Sequence, residues 1–592
     1  MLFFMRGSKR YFFMSLIAAM LLSLFELINP KVIGFTVDSI IGDQAAALPA
    51  FISGPIEMVG GIVYLRTHLW LIAIFVVAVA ALDALWRILY RVSTAKGAET
   101  LVKTVRDDLY GHIIRLPFKW HSENVTGDII QRCTSDVNTI KMFLSEQLVT
   151  LFRMLVLISF AITFMLRINP TLTLVSVAFI PVILITSIRF HKSTSVKFEN
   201  VDKQEGKLSA IAQENLTGVR VVRAFGREKF EKDRFEEQNE VYASADMELS
   251  KLFVTFWSFG SFLSRFQIFV IIVFGVYFCV NGSLTSGRFI EFVAYNQMVS
   301  WPVRMLGRII SQMSKAGVSI DRLKYIMNSE EEQDTPDSVR VPLDKDIVFE
   351  HVSFAYQDGV KALDDVSFTI KAGQTVGILG STGSGKSTLM YLLERLYDLD
   401  GREGTGRITI GGIDLKTIER GYVREHIGMV LQEPYLFSKT LAENIAIAKP
   451  VVDREEVCSA ARIAAVDSAI ESFTAGYDTF VGERGVTLSG GQKQRTAIAQ
   501  TLIRKPPVLI FDDSLSAVDT ETDEKIRKAL KEETAGTTVI LIAHRITTLM
   551  HADRILVLDR GKIVEQGSHA ELLNRDGIYK KIFDLQLQKD AS

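Results

Sequence analysis

The hydrophobic pattern divides this chain into two halves of different texture. Toward the N-terminus, apolar residues run on for about 20 positions at a time, the length needed to cross a hydrocarbon core. Six such stretches stand near Tyr11–Val37, Leu69–Val92, Leu148–Leu166, Leu172–Phe190, Phe253–Val280 and Phe289–Ile310. The last is the least apolar, holding Glu291, Asn296, Gln297, Arg304 and Arg308, and a hydropathy window alone does not identify it. A span of that kind is expected to turn one face to a water-filled cavity rather than to lipid. Between the spans a helical period persists, as at Leu101, Val105, Leu109 and Ile113, so these helices are expected to run well past the bilayer. The sixth should continue to about Met327. An acidic linker with two prolines, Asn328–Asp346, follows. From Ile347 short β-rich runs alternate with amphipathic helices, the mark of an α/β domain.

Charge orients this arrangement. The loops after spans two and four carry Lys96, Lys103, Arg106, Arg115, Lys203, Lys207, Arg220 and Arg223, while those after spans one, three and five carry few basic residues. Positive charge stays inside, so the N-terminus, both long loops and the C-terminal domain are expected in the cytoplasm. The net charge of −1 over 592 residues gives no bias toward nucleic acid, and no nucleic-acid partner is expected. Cys133, Cys279 and Cys458 are far apart and read as unpaired thiols. Arg6, Lys9 and Arg10 precede an apolar run as long as a full span, without a small-residue cleavage site, so a cleaved leader is not expected. No internal repeat is evident. A second copy of each domain is therefore expected from another chain.

The chemistry begins after the strand-like run Thr375–Leu379. Gly380-Ser381-Thr382-Gly383-Ser384-Gly385-Lys386-Ser387-Thr388 fits G-x-x-x-x-G-K-[ST] with a strand before and a helix after. Its glycines let backbone N–H groups converge on phosphates, and the helix N-terminus adds positive potential. Lys386 should reach the β- and γ-phosphates of ATP, and Ser387 should ligate Mg²⁺. Downstream, the apolar run Val508-Leu509-Ile510-Phe511 reads as a buried strand, with Asp512 at its end placed to hold Mg²⁺ directly or through water. The predicted fold is an all-α six-helix transmembrane domain (1–327), a linker (328–346) and an α/β P-loop nucleotide-binding domain (347–592).

Between these motifs stands Leu488-Ser489-Gly490-Gly491-Gln492. Here the chain resembles the ATP-binding cassette family, whose signature is LSGGQ. The resemblance covers about Ile347 to Leu585 and keeps the family's motif order. It implies that Tyr356 stacks on adenine and that Gln432, in Leu431-Gln432-Glu433-Pro434, links Mg²⁺ to the membrane domain. It implies that Ser516-Ala517-Val518-Asp519 is the D-loop and that His544 is the switch histidine. Ser489, Gly490, Gly491 and Gln492 would meet the γ-phosphate held by an opposite cassette. The membrane half resembles the exporter branch, through Thr126-Gly127-Asp128-Ile129 with Asp136-Val137 and through the segment from Glu214 to Glu228. In that branch short coupling helices press on the cassettes; Pro117–Glu123 and Asn215–Val222 flank or contain the candidates here.

One residue departs from the family pattern. Most hydrolysing cassettes have Glu after the Mg²⁺-linked Asp, where it orients or deprotonates the attacking water; here it is Asp513. Asp is one methylene shorter, and misplacement by about an ångström can cost on the order of a hundredfold in rate. The run from Asp512 to Asp519 resembles the impaired site of bacterial heterodimeric multidrug exporters. The expected partner is thus a second half-transporter, a different chain that supplies a catalytic Glu opposite this chain's intact signature. A homodimer with two slow sites, or a conservative Glu-to-Asp drift without consequence, is the competing expectation.

For the substrate, Phe256, Trp257, Phe259, Phe262, Phe266, Met298, Trp301 and Met305 could line a hydrophobic cavity, or simply pack and face lipid. Glu26, Arg265, Glu291, Arg304 and Arg308 are candidates for a cavity or gate, whereas Asp83 and Arg87, four apart, should neutralise each other. The expected function is ATP-driven export of amphipathic or hydrophobic compounds of multidrug type across a bacterial cell membrane. Lipid or lipopeptide translocation is the alternative, and a nucleotide-gated channel or regulator is one of another class.

Overall fold

The first predicted span is not one helix but two, α1 (Lys9–Glu26) and α2 (Ile28–Phe35), meeting at Leu27. Pro30 accounts for the break: it has no amide hydrogen, and its ring crowds the carbonyl four positions back, on Glu26. The computed structural model describes residues 7–42, 57, 61–356, 359–399, 404–482, 485, 487–514, 520–533 and 536–590. Ser516-Ala517-Val518-Asp519 lies outside the described residues.

Five more long helices run through the N-terminal unit: α3 (Trp70–Ile114), α4 (Val149–Ile168), α5 (Pro170–Thr217), α6 (Glu228–Val280) and α7 (Ser286–Met327). With 45, 48 and 53 residues, α3, α5 and α6 far exceed the roughly 20 residues a bilayer requires. Leu101, Val105 and Leu109 are buried, as their period predicts. Asn169 starts α5, its Oδ1 accepting from the Leu172 amide at 2.9 Å, with Pro170 opening the first turn. Helix α5 ends at Gly218, inside the segment Asn215–Val222, and a short helix Val219–Ala224 follows.

Among the described residues, five helical stretches are long and apolar enough to cross a membrane, and α7 is not one of them. Its polarity has a packing cause. Phe292, Tyr295, Val299 and Val303 of α7 are buried together with Leu157, Leu172 and Ile271. Asn296 lies among them, 1% exposed, accepting from Ser176 Oγ of α5 at 2.6 Å and from Gln267 Nε2 of α6 at 3.0 Å. This polar residue therefore faces other helices, not the water-filled cavity expected of it, and interhelical hydrogen bonds replace hydration. A Cβ at Gly307 would stand 2.3 Å from Ser187 Oγ, so α7 approaches α5 this closely because that position carries none.

Asp83 and Arg87 do pair, at 2.9 Å, but not alone. Glu26 accepts from Arg87 at 3.2 Å and from Arg153 at 2.5 Å. Glu26 thus belongs to a four-membered ion cluster joining three spans.

Residues Pro117–Glu123 and Glu331–Ser592 form the second unit. An antiparallel sheet of order β2-β1-β4-β5 combines β1 (Ile347–Ala355), β2 (Lys361–Ile370), β4 (Arg407–Ile410) and β5 (Ile413–Asp414). The larger sheet has the order β10-β9-β3-β8-β7-β6. Its strands are β3 (Thr375–Gly380), β6 (Ile427–Val430), β7 (Val508–Asp512), β8 (Thr538–Ala543), β9 (Arg554–Asp559) and β10 (Lys562–Gly567). All pairings except β9 with β10 are parallel. Parallel strands covered on both faces read as continuous apolar runs, and β7 is buried at every position. The segment read as a linker is held by an ion pair and a backbone hydrogen bond: Glu332 accepts from the Arg424 guanidinium at 2.6 and 2.8 Å, and Asp334 accepts from the Arg420 amide at 3.1 Å.

Candidate functional site

Strand register brings the separate motifs to one edge. Leu379 of β3 lies opposite Ala543 of β8, and Asp512 of β7 lies opposite Ile542. Val430 of β6 lies opposite Phe511. The phosphate loop, His544, Asp512 and the segment from Leu431 to Gln432 therefore all leave the sheet at its C-terminal edge, where parallel α/β sheets bind ligands.

The loop between β3 and α8 (Lys386–Leu393) depends on Gly385, with φ +103° and an ideal Cβ position 2.4 Å from the Ala362 carbonyl oxygen. Lys386, 7% exposed, folds its ammonium back onto the loop, donating to the carbonyls of Gly380 at 2.9 Å and Ser381 at 2.8 Å. Burial holds its pKa below the ordinary lysine value, opposed by Asp512 and Asp513. Ser387 donates to Asp512 Oδ2 at 3.0 Å. Burial raises the Asp512 pKa, while the Ser387 hydrogen bond, Lys386 and His544 pull it down. Ser381, Thr382 and Gly383 are exposed, and the Ser384 amide donates to the Ser381 carbonyl at 3.2 Å. The result is an exposed loop at the mouth of a helix, a place suited to an anion.

Tyr356 shares a hydrogen bond of 3.0 Å with Thr388 Oγ1 and meets Phe354 and Tyr397 edge-on at 5.1 and 5.4 Å. An aromatic face thus stands beside the phosphate loop. Asp513 is half-buried, in the left-handed region at φ +45°, its amide donating to the Ile542 carbonyl at 2.8 Å. Ser387 and Asp512 are brought together. Gln432 and His544 are exposed at the same edge, and no hydrogen bond joins Gln432 to either among the described residues.

The signature opens helix α9 (Gly490–Leu502). Ser489 and Gln492 cap it reciprocally: the Gln492 amide donates to Ser489 Oγ at 3.3 Å, and the Ser489 amide donates to Gln492 Oε1 at 2.9 Å. Ser489 and Gly490 are exposed, and nothing lies within 4 Å of a Cβ placed on Gly490.

Two supporting residues carried no motif of their own. Gln494, 1% exposed, donates to the Leu431 carbonyl at 3.1 Å and so fixes the chain just before Gln432. It shares a helical face with the buried Ala497 and Ile498, and a polar residue on a buried face was its signal in the sequence. Gln586 donates to the His544 carbonyl at 2.8 Å and accepts from the Ile546 amide at 2.9 Å. It comes from the far C-terminal helix, and no local pattern announces that contact.

A phosphate loop with an acidic strand end, in one chain with long membrane-spanning helices, defines a membrane-embedded ATPase. Residues 12–303 match the family described as the ABC transporter transmembrane region, and residues 363–516 match the family described as ABC transporter. A probable multidrug resistance ABC transporter ATP-binding/permease protein of Bacillus subtilis is 32% identical over 98% of this chain and 96% of its own length. An ATP-dependent lipid A-core flippase of Legionella pneumophila is 32% identical over 83% of this chain and 82% of its own. A solved bacterial Atm1-family ABC exporter with ATP bound superimposes with a TM-score of 0.79, at 26% identity over 98% of both chains. The chain belongs to the ABC transporter family. It is a membrane-spanning, ATPase-coupled exporter half-transporter.

Proposed function

We propose that this chain exports amphipathic or hydrophobic compounds as one half of a heterodimer, contributing a weakened carboxylate and an intact signature. The observation that carries the asymmetry is Asp513 itself, one position past the Mg²⁺-side Asp512 and one methylene short of the glutamate usual there. The exposed, unobstructed Ser489–Gly490 corner supports the second part, since it leaves room for phosphates held by another chain.

In this reading the ATP phosphates take the place of the carbonyls that Lys386 now engages, and its ammonium turns outward to them. Ser387 Oγ and Asp512 Oδ2 are an all-oxygen pair that would hold Mg²⁺, and the ion would neutralise charge developing on the phosphates. Tyr356 stacks on the base, and Gly383, Ser384, Gly385 and Thr388 complete the cradle. Asp513, with His544 and Gln432 closing in, orients the attacking water poorly, so this site retains ATP while the partner's site turns over. Closure of two cassettes over two nucleotides shifts the transmembrane helices as rigid bodies from an inward-open to an outward-open cavity.

ATPase activity of the purified chain alone, against the complex recovered through a tag on this chain, tests the asymmetry. The heterodimer reading expects weak hydrolysis alone and robust hydrolysis in the complex. Robust hydrolysis by the chain alone sinks it.

A further inference from the structure

Gln586 uses both ends of its side-chain amide on the turn that carries His544. Its Nε2 donates to the His544 carbonyl at 2.8 Å, and its Oε1 accepts from the Ile546 amide at 2.9 Å. The two bonds straddle Arg545 and clamp the turn between β8 and a short helix, Ile546–Leu549.

That turn has little else to hold it. Upstream, Ala543 is fixed by its pairing with Leu379, and downstream Ile546 is buried. His544 and Arg545 between them are exposed, and no hydrogen bond grips the His544 ring among the described residues. The direction of the imidazole is therefore set by the backbone beneath it, and so by whatever fixes that backbone.

The helix bearing Gln586, Ile578–Asp590, is anchored away from the site. The amides of Ile578 and Tyr579 donate to the Glu565 carboxylate of β10, the second at 3.3 Å. Tyr579 is fully buried and shares a hydrogen bond of 2.7 Å with His569 Nδ1. Ile582 and Phe583 pack on the same core as Ile546 and Leu549. Tyr579, Ile582, Phe583 and Gln586 share one helical face, so the anchor and the amide are presented together.

We propose that Gln586 is a positioning residue for ATP hydrolysis: it holds the peptide groups on either side of Arg545 and so aims His544 toward the γ-phosphate. A neutral amide offers the donor and the acceptor that these two opposite backbone groups need; an ionised Glu lacks the donor and Leu lacks both. The inference rests on the reading of His544 as the switch histidine and adds the residue that holds it in place.

The test is single-turnover hydrolysis of labelled ATP by the complex recovered through a tag on this chain, with the partner's site inactivated. Gln586→Glu keeps the size and the bond from Ile546 but sets a carboxylate oxygen against the His544 carbonyl. Gln586→Leu removes both bonds. Each should slow hydrolysis at this site by about tenfold, with ATP affinity changed less than about twofold. In a His544→Ala background neither change should slow hydrolysis further, because the group being aimed is gone. If Gln586→Leu does not assemble, Gln586→Glu decides alone. An undiminished rate in the Gln586 variants, an equal further loss in the His544→Ala background, or a parallel loss of ATP affinity overturns the proposal. Wild-type hydrolysis by His544→Ala itself removes the switch reading, and this inference with it.

Discussion

Ser387 and Asp512 hydrogen-bond at 3.0 Å although 125 residues separate them. Strand β8 lies between β7, which ends in Asp512, and β3, which leads into the loop and helix that carry Ser387, so the contact exists only because the parallel sheet aligns its C-terminal ends. This pair should hold the metal that accompanies ATP. With the partner's site inactivated, Ser387→Ala and Asp512→Asn should each lower the remaining phosphate release at this site by roughly a hundredfold or more, since electrostatic positioning supplies most of phosphoryl-transfer catalysis. ATP binding should fall much less. Near-normal turnover in both variants would remove the pair from the chemistry.

Asp513→Glu adds the missing methylene. In the complex it should raise turnover at this site by about tenfold or more, measured as single-site hydrolysis with the partner's site inactivated. An unchanged or lower rate would mean that the shorter carboxylate is not what limits the site.

Gly385 is the position where backbone geometry is least forgiving. Gly385→Ala places a Cβ 2.4 Å from a carbonyl oxygen at φ +103°, a loss of about 2–4 kcal/mol. Gly383, with φ +81° but open space around it, is the control and should cost about 1 kcal/mol as alanine. Thermal unfolding of the full chain reads both, and equal shifts would show that the close approach to Ala362 is not what matters.

Burial pushes Glu394 up to about 7, against the pull of Arg424. A carboxyl raised this way is folded most favourably below its unfolded pKa, near 4.5, and loses stability as pH rises toward 7. The loss is at most about 3 kcal/mol, reached above that pH. Glu394→Gln should therefore melt close to the wild type at acid pH and higher than it at pH 8. A melting difference that does not change with pH would contradict this.

The phosphate loop, Asp512 and the signature were legible because each places special residues at fixed local spacing. The order of apolar spans was legible for the same reason. The rest depends on partners distant in sequence. Glu26 looked like a cavity charge until Arg153, from another span, was found 2.5 Å away. Asn296 looked like a wet face, yet Ser176 and Gln267 enclose it. Phe118, in a short helix of the second unit, meets Tyr391 and Tyr397 at 5.8 and 5.7 Å, a pairing that no local period encodes. Conversely, Pro30 was in plain view, and the break it imposes on the first span follows from its missing amide hydrogen.

The most direct test of the account is ATP-dependent accumulation of an amphipathic dye in inside-out vesicles carrying the complex recovered through this chain. Uphill accumulation with ATP, absent with a non-hydrolysable analogue and in complexes of Lys386→Ala, is the predicted result. Dye movement that only equilibrates across the membrane, or proceeds equally without hydrolysis, would mark a nucleotide-gated passage and contradict the exporter.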